Sequence, residues 1–123
     1  METLTVQMDK ILDEYKERVK RATEVSMNRV SRECVKKLRN TSPKKTGDYA
    51  KGWASEKAVA HGNTVDYIVR NKTDYQLTHL LENGHVIRNK KGTYGRTHGI
   101  KHIAPVEEWA VDELPRRIIE DIP

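Results

Sequence analysis

The feature that most constrains the fold is an uninterrupted stretch from Met8 to Leu38, which contains neither Gly nor Pro. Its apolar residues recur every three or four positions, which is the period of one face of an α-helix. The stretch therefore predicts one amphipathic helix of roughly 45 Å. A 123-residue chain does not need so long a helix for its own core, so we expect either a kink near Ser26 or one end that projects toward a neighbour.

The size and charge of the chain favour one domain, residues 1–123, with a modest core. One third of the residues are charged and only 36% are hydrophobic, and a second core would leave both too small to fold well. The net charge of +5 is uneven. Residues 36–102 carry fourteen basic and five acidic side chains, whereas residues 103–123 carry two and six. We expect the basic middle to meet a polyanion or an acidic protein surface.

The single cysteine and the hydropathy pattern favour an intracellular origin. Cys34 falls on the apolar side of the predicted helix, where it is expected to be a buried small hydrophobe. One cysteine cannot form a disulfide framework. We find no signal peptide near Met1 and no apolar segment of about 20 residues, so the chain is expected to be soluble and cytoplasmic when made.

The middle of the chain predicts a hairpin and a short helix. Residues 40–47 combine turn formers with a proline and are expected to form a loop. Residues 52–60 and 64–71 are predicted to be two strands joined by a Gly-containing turn. Asp74 is predicted to cap a short helix that places Leu77, Leu80 and Leu81 on one face, and Asn83-Gly84 is predicted to end that helix.

The last third predicts a second hairpin and a final helix. Residues 85–87 and 100–103 are expected to be its arms, with a long basic loop at residues 88–99 that gains order only from a partner. Pro105 suits the first position of the last helix, whereas Pro115 is expected to end or kink it. The predicted fold class is α+β, with the two long helices packed on one face of a small antiparallel sheet.

Histidines are the most obvious candidates for chemistry, but they predict neither a metal site nor a catalytic site. His98 and His102 are four residues apart in a loop, where that spacing does not place both rings on one face. A nuclease of the His-Asn-His type needs carboxylates or amides beside its histidines, and residues 83–103 contain no acidic residue. No Gly-x-Ser-x-Gly turn or phosphate-binding glycine loop is present. We therefore predict no catalytic residue, no metal and no cofactor.

Nucleic-acid binding is the main alternative function. Two basic segments could contact phosphates, and Tyr94 could stack on a base. No recognised DNA-reading element accompanies them. The candidate interface residues for a protein partner or DNA are Lys44, Lys45, Arg88, Lys90, Lys91 and Arg96.

Two motifs, taken in order, resemble a family of tailed-phage proteins. The segment Ser42-Pro43-Lys44-Lys45-Thr46-Gly47-Asp48-Tyr49-Ala50-Lys51-Gly52-Trp53 is similar to the Pro-x-x-Thr-Gly-x-Leu-x-x-Ser-Trp stretch of siphophage head-to-tail joining, or tail-completion, proteins. The segment His79-Leu80-Leu81-Glu82-Asn83-Gly84-His85 resembles that family's Leu-Glu-(aromatic or polar)-Gly-(Thr or His) signature. In this chain, as in that family, a basic loop follows the second motif (residues 88–99), and a proline (Pro105) then precedes the last helix. Tyr49 stands where Leu is usual, and His102-Ile103-Ala104-Pro105 keeps only the final proline of a Pro-aromatic-x-x-Pro pattern.

This resemblance implies a structural role. A protein of this kind would be made in the bacterial cytoplasm and would form a homo-oligomeric ring between the connector and the tail tube of the virion, with DNA passing through the channel. The motif residues would serve the fold: Gly47 would let the backbone turn, Trp53 would anchor the first strand on the long helix, and Glu82 with Gly84 would close the short helix. The full structural set is Thr46, Gly47, Trp53, Glu82, Gly84, Pro105 and Trp109.

Overall fold

The computed structural model describes residues 3–44, 47–59, 65–89 and 92–122. Helix α1 (Leu4–Thr41) is followed by a single turn of helix, α2 (Asp48–Lys51), and by strands β1 (Trp53–Val59) and β2 (Val65–Asn71). A 3₁₀ turn (Tyr75–Leu77) leads into α3 (Thr78–Asn83). Strands β3 (Val86–Asn89) and β4 (Gly92–Arg96) precede the last helix, α4 (Ile103–Asp121). The predicted α+β class is confirmed.

Helix α1 is longer than predicted, and one end of it lies outside the core. It begins after Thr3, whose side-chain oxygen accepts a hydrogen bond from the Val6 N–H at 3.3 Å. It continues without interruption through Ser26, which is fully buried. The first buried residue is Ala22, and every residue from Leu4 to Glu17 is exposed. The N-terminal part of α1 therefore projects, as one of the two alternatives predicted.

The core lies where the second half of α1 meets β1, β2 and α4. Val30, Cys34, Val35 and Leu38 of α1 pack with Tyr49, Trp53 and Val106. Strand β2 presents half-buried Val65, Tyr67 and Val69 to this side and exposes the residues between them. Burial raises the pKa of the Cys34 thiol, and the neighbouring Glu33 carboxylate adds to the effect. Cys34 is a core residue, as predicted.

The first hairpin is confirmed. The second hairpin differs from the prediction, because its strands lie between residues 86 and 96 and not at residues 85–87 and 100–103. Strands β1 and β2 pair antiparallel, with Trp53 opposite Asn71 and Val59 opposite Val65; the predicted turn residues lie outside the described residues. Strands β3 and β4 form a separate two-stranded sheet, so the expected loop at 88–99 contains strand residues at 88–89 and 92–96. Residues 100–102 form no strand, and Ile103 already belongs to α4.

Backbone pairing explains why the basic segment forms a hairpin despite having little apolar surface. Hydrogen bonds between β3 and β4 do not depend on apolar side chains. Gly92 (φ 136°) and Gly95 (φ 119°) adopt backbone angles that other residues rarely reach. The Thr97 N–H donates to the His85 carbonyl at 2.8 Å and extends the pairing by one step.

Residues 48–51, for which no element was predicted, form a helical turn after Gly47, which adopts a left-handed conformation (φ 85°). Two local predictions in the middle of the chain need correction. Asp74 makes no capping hydrogen bond from its side chain. Leu77 and Leu80 are 40% and 42% exposed, and only Leu81 packs against the core. The predicted shared inner face of α3 is therefore wrong, although Gly84 does end that helix.

Helix α4 packs along α1 and does not end at Pro115. It begins at Ile103, so Pro105 occupies the third position and not the first; its missing N–H is still among the four that have no acceptor within the helix. The helix continues to Asp121 because contacts with α1 hold its last turns. Arg117 forms an ion pair with Glu33, and the Ser26 hydroxyl donates to the Asp121 carboxylate at 2.8 Å.

Candidate assembly surfaces

Three aromatic rings join the first sequence motif to the segment before α4 inside the protein. Tyr49 lies edge-on to Trp53, with ring centroids 5.7 Å apart, and edge-on to His102 at 5.6 Å. The Trp53 indole N–H donates to the Ser42 hydroxyl at 2.8 Å. Arg39 of α1 donates to the Trp53 carbonyl at 2.9 Å. Through these contacts Trp53 links the start of β1 to the end of α1.

The buried carboxylate of Glu82 holds the start of α4. One oxygen accepts from the N–H groups of His102 (2.7 Å) and Ile103 (2.9 Å), and the other accepts from that of Ala104 at 3.0 Å. Burial alone would raise the pKa of Glu82, but these three N–H groups and the nearby His102 ring bring that pKa below its ordinary value. Glu82 therefore caps α4, a role that its position at the end of α3 did not reveal.

Both ring nitrogens of His102 are engaged within the protein. Nε2 lies 2.8 Å from the Tyr49 hydroxyl, and Nδ1 lies 2.6 Å from the Ile100 carbonyl and 3.0 Å from Glu82. Both neighbours of Nδ1 are acceptors, so Nδ1 carries a proton and donates. Burial, together with Glu82 and Asp74, raises the pKa of Tyr49 to about 12. With His102 only 1% exposed, this cluster has no open position for a metal or a substrate.

Two glycines permit the close approach that completes this cluster. A Cβ on Gly84 (φ 76°) would lie 2.2 Å from the Thr97 carbonyl oxygen, and a Cβ on Gly99 would lie 2.3 Å from the Glu82 carbonyl oxygen. A side chain at either position would force these two backbone segments apart. The backbone of the second motif therefore lies in close contact with the segment before α4.

The predicted basic residues fall into two groups. Lys44, just after α1, and Arg96, at the end of β4, are exposed. Arg96 also donates to the Asn83 carbonyl at 3.3 Å. Arg88 belongs to β3. Lys45, Thr46, Lys90 and Lys91 lie outside the described residues, so their predicted roles remain predictions.

The projecting end of α1 carries exposed apolar side chains that we call the α1 stripe: Leu4, Met8, Ile11, Leu12 and Tyr15. Their side chains are between 51% and 71% exposed. Large apolar residues exposed together on one element mark a surface for a partner. The sequence pattern does not reveal this surface, because the same periodicity fits a helix buried along its whole length. The length of α1 was the one signal that pointed to it.

The first half of α4 carries an acidic face. Glu107, Glu108 and Asp112 are exposed and form no ion pair with any residue that the structure describes. The remaining acidic residues of α4 are engaged: Glu113 with Arg117 at 2.7 Å, Glu120 with Arg116 at 2.7 Å, and Asp121 with α1. Trp109 packs toward the core on the inner side, with the Lys37 ammonium 4.5 Å from its ring centroid.

The described residues contain no helix long and apolar enough to cross a membrane. Nor do the described ranges bring together three or more His, Cys, Asp or Glu side chains that could hold a metal ion.

The chain matches the model of a known protein family. A family model described as "Bacteriophage HK97-gp10, putative tail-component" matches residues 2–84. The matched region includes all of α1, the first sequence motif and the second motif as far as Gly84. No curated protein and no solved structure matches the chain.

Proposed function

This chain belongs to the HK97-gp10-like family of bacteriophage tail components, and from that premise we propose that it is a structural subunit of the phage neck. In this role several copies form a ring that joins the head connector to the tail tube and completes the virion. The family supports a phage structural protein that contacts other virion proteins. The ring and its position at the head–tail joint are our proposal.

The observation that carries the proposal is the exposed α1 stripe. A side chain such as Ile11, 62% exposed, costs free energy in water, at about 25 cal/mol for each Å² of apolar surface left uncovered. The projecting end contributes little to the core, because burial begins at Ala22. A small protein that maintains such a surface has its partner outside its own fold.

Charge complementarity supports contact between like subunits in the ring. The acidic face of α4 has three carboxylates without an ion pair among the described residues, and the basic residues of the hairpin and of the loop after α1 lie elsewhere on the chain. In a head-to-tail contact, one surface of a subunit meets a different surface of the next, which is how a closed ring forms. The proposed contact places Arg96 and Lys44 of one subunit near Glu107 and Glu108 of the next.

The proposed role involves no catalysis and no cofactor. His102 is buried with both ring nitrogens engaged, and His98 is exposed without a neighbouring acidic residue in its segment. We expect no DNA cleavage by the purified protein with Mg²⁺, Mn²⁺ or Zn²⁺. Metal-dependent nicking that His98→Ala abolishes would contradict this expectation.

The experiment that tests the function is an early stop codon in this gene within the phage or prophage that encodes it. We expect induced cells to accumulate DNA-filled heads and complete tails that remain separate in electron micrographs. Supplying the wild-type chain from a plasmid should restore joined, infectious particles. Normal yields of joined virions in the absence of the chain would overturn the proposal.

A further inference from the structure

The outward side of α1 carries a row of cations that we call the basic ridge. Its members are separated by three, eight, three, four and three residues: Arg18, Arg21, Arg29, Arg32, Lys36 and Arg39. At about 100° per residue, these positions fall within an arc of roughly 80° on the helix surface. The ridge runs for about 32 Å along the helix axis. Every member is exposed except Arg18, which is half-buried.

Few carboxylates offset the charge of the ridge. The acidic residues of α1 between the two ends of the ridge, Glu24 and Glu33, lie outside its arc, and Glu33 is paired with Arg117. Arg29 lies 3.8 Å from Asp121 at the end of α4. The remaining members form no ion pair with any residue that the structure describes. The ridge is therefore a continuous positive surface.

Three ridge arginines surround one open pocket on α1. Arg18, Arg21 and Arg29 line this pocket beside Asp121. The Nε atom of Arg18 is shielded from water and has no hydrogen-bond partner among the described residues. The Arg21 Nε donates to the Glu17 carbonyl of its own helix at 3.4 Å. A guanidinium group presents five N–H donors, so this group of arginines retains donors for an oxyanion from outside the chain.

The composition of the ridge indicates the kind of partner. Interfaces between proteins are enriched in aromatic residues and Met and depleted in Lys, whereas interfaces with nucleic acids are more polar and much more positive. Within its arc, the ridge contains one large apolar side chain, Val25, which is 43% exposed, and no aromatic ring. Proteins that bind single strands stack the bases on aromatic rings. A straight row of cations without rings therefore fits the phosphates of a duplex.

We propose that the basic ridge binds the phosphate backbone of duplex DNA without reading its sequence. The length of the ridge is close to one helical turn of DNA, about 34 Å. Over that length the duplex presents one negative charge for about every 1.7 Å of its axis, and guanidinium groups bind phosphate oxygens with paired hydrogen bonds. Each ridge cation supplies about one phosphate contact, so a single substitution weakens binding without abolishing it.

This inference adds a DNA contact to the proposed function and does not depend on it. The ridge follows the α1 stripe along the helix and is turned from it by about 85°. A protein partner on the stripe therefore leaves the ridge open to the DNA that passes through the proposed ring. The ridge also differs from the loop and hairpin cations that the sequence suggested for DNA. Because DNA binding is measured on the isolated chain, its failure is distinct from a failure of the neck proposal.

The test is the binding of the full-length chain to a fluorescently labelled duplex of about three helical turns, followed by anisotropy at several salt concentrations. The logarithm of the binding constant should fall linearly with the logarithm of the salt concentration, with a slope of about −0.9 for each phosphate contacted. Arg21→Gln with Arg32→Gln and Lys36→Gln should make this slope less steep by about 2.7 and weaken binding at least about tenfold near 0.1 M salt. An unchanged slope would overturn the proposal.

A matched variant removes the same charge from exposed positions off the ridge: Lys16→Gln, Lys20→Gln and Lys57→Gln. This variant should keep the wild-type slope; an equal loss of slope would show that net charge, and not the ridge, binds DNA. Gln is compatible with a helix, so the circular-dichroism spectrum should be unchanged in both variants. Lys36→Gln alone should lower the slope by about 0.9, which repeats the test with a single exposed substitution.

The two other possible outcomes concern the hairpin and an acidic protein surface. If Lys90→Ser with Lys91→Ser and Arg96→Ser lowers the slope and the ridge variant does not, DNA binds at the hairpin and the proposal is wrong. Poly-glutamate is the probe for an acidic protein partner. We expect the duplex to resist displacement by poly-glutamate at equal charge concentration, because its phosphates are closely spaced. Displacement at equal or lower charge concentration would assign the ridge to a protein and overturn the proposal.

Discussion

At the scale of single residues, Glu82 joins two segments far apart in the sequence. Its carboxylate ends up within 3.0 Å of three consecutive backbone N–H groups at the start of α4. The first N–H groups of a helix have no acceptor within it, and a negative charge there also favours the helix dipole. Glu82 therefore fixes where α4 begins and how it leaves the second motif.

Replacement of Glu82 by Gln should destabilise the protein. The amide retains one acceptor oxygen but presents an NH₂ group to at least one N–H donor, so a buried hydrogen bond is lost. We expect the free energy of unfolding to fall by about 1–3 kcal/mol, measured by urea denaturation at pH 7. Glu108→Gln is the matched control, because Glu108 is exposed on the same helix. Equal stability of both variants would show that Glu82 does not cap α4.

The same carboxylate predicts how stability depends on pH. The pKa of Glu82 is below its ordinary value in the folded state, so its contribution is present above the ordinary glutamate pKa near 4.5. That contribution is lost as the pH falls through the lower, folded value. The stability difference between wild type and Glu82→Gln should therefore shrink as the pH is lowered from 6 toward 3. A difference that is constant over this range would contradict the assignment.

Tyr49 and His102 form a contact that the family pattern does not predict. Each stands where the resembling family usually has another residue, Leu at the first position and an aromatic residue at the second. Their side chains meet at 2.8 Å in the core. The sequence analysis noted both departures separately. Only the three-dimensional structure shows that they form one polar contact, because 53 positions separate them along the chain.

At the scale of elements, the periodicity of the sequence correctly predicted those elements that interactions between nearby residues determine. Helix α1, the first hairpin and the end of α3 at Gly84 follow from spacing and turn residues. The errors arose where contacts distant in sequence decided the outcome. Helix α4 continues past Pro115 because α1 holds its far end, and the basic hairpin forms through backbone pairing that side-chain patterns do not encode.

Pro115→Ala should stabilise the protein. The proline removes one hydrogen bond from the interior of α4, a defect that costs up to about 3 kcal/mol in a regular helix. We expect a gain of about 1–2 kcal/mol in the free energy of unfolding, because the surrounding contacts have already reduced the strain. Pro105→Ala is the control and should change little, since its position in the first turn needs no N–H. Destabilisation by Pro115→Ala would show that the proline shapes a required bend.

At the scale of the whole molecule, stability and assembly reside in different parts of the chain. The core uses residues from Ala22 onward, together with β1, β2 and α4. The α1 stripe, the basic residues Lys44 and Arg96, and the acidic face of α4 lie on the surface. Substitutions on the surface should therefore alter the formation of particles without altering the fold.

A substitution in the hairpin formed by β3 and β4 tests this separation. Replacement of Lys90, Lys91 and Arg96 together by Ser should leave thermal stability nearly unchanged, because all three are predicted to serve an interface and not the core, and charges outside a core contribute under about 1 kcal/mol each. The yield of joined particles should fall, because the proposed contact with an acidic surface is weakened. A triple variant that joins particles normally would remove the hairpin from the interface, and one that unfolds would give the hairpin a structural role.

The most direct test of the central claim is the amount of joined virions produced when the α1 stripe is made polar. The variant carries Met8→Gln, Ile11→Gln, Leu12→Gln and Tyr15→Gln, and the control carries Glu17→Gln and Arg21→Gln on the opposite side of the same exposed segment. Gln is compatible with a helix, and exposed positions change stability by about 0.5 kcal/mol or less each. We predict that both proteins fold and that only the stripe variant fails to restore joined particles to a phage lacking the wild-type chain. Joined particles at the wild-type level with the stripe variant would contradict the claim that this surface mediates assembly.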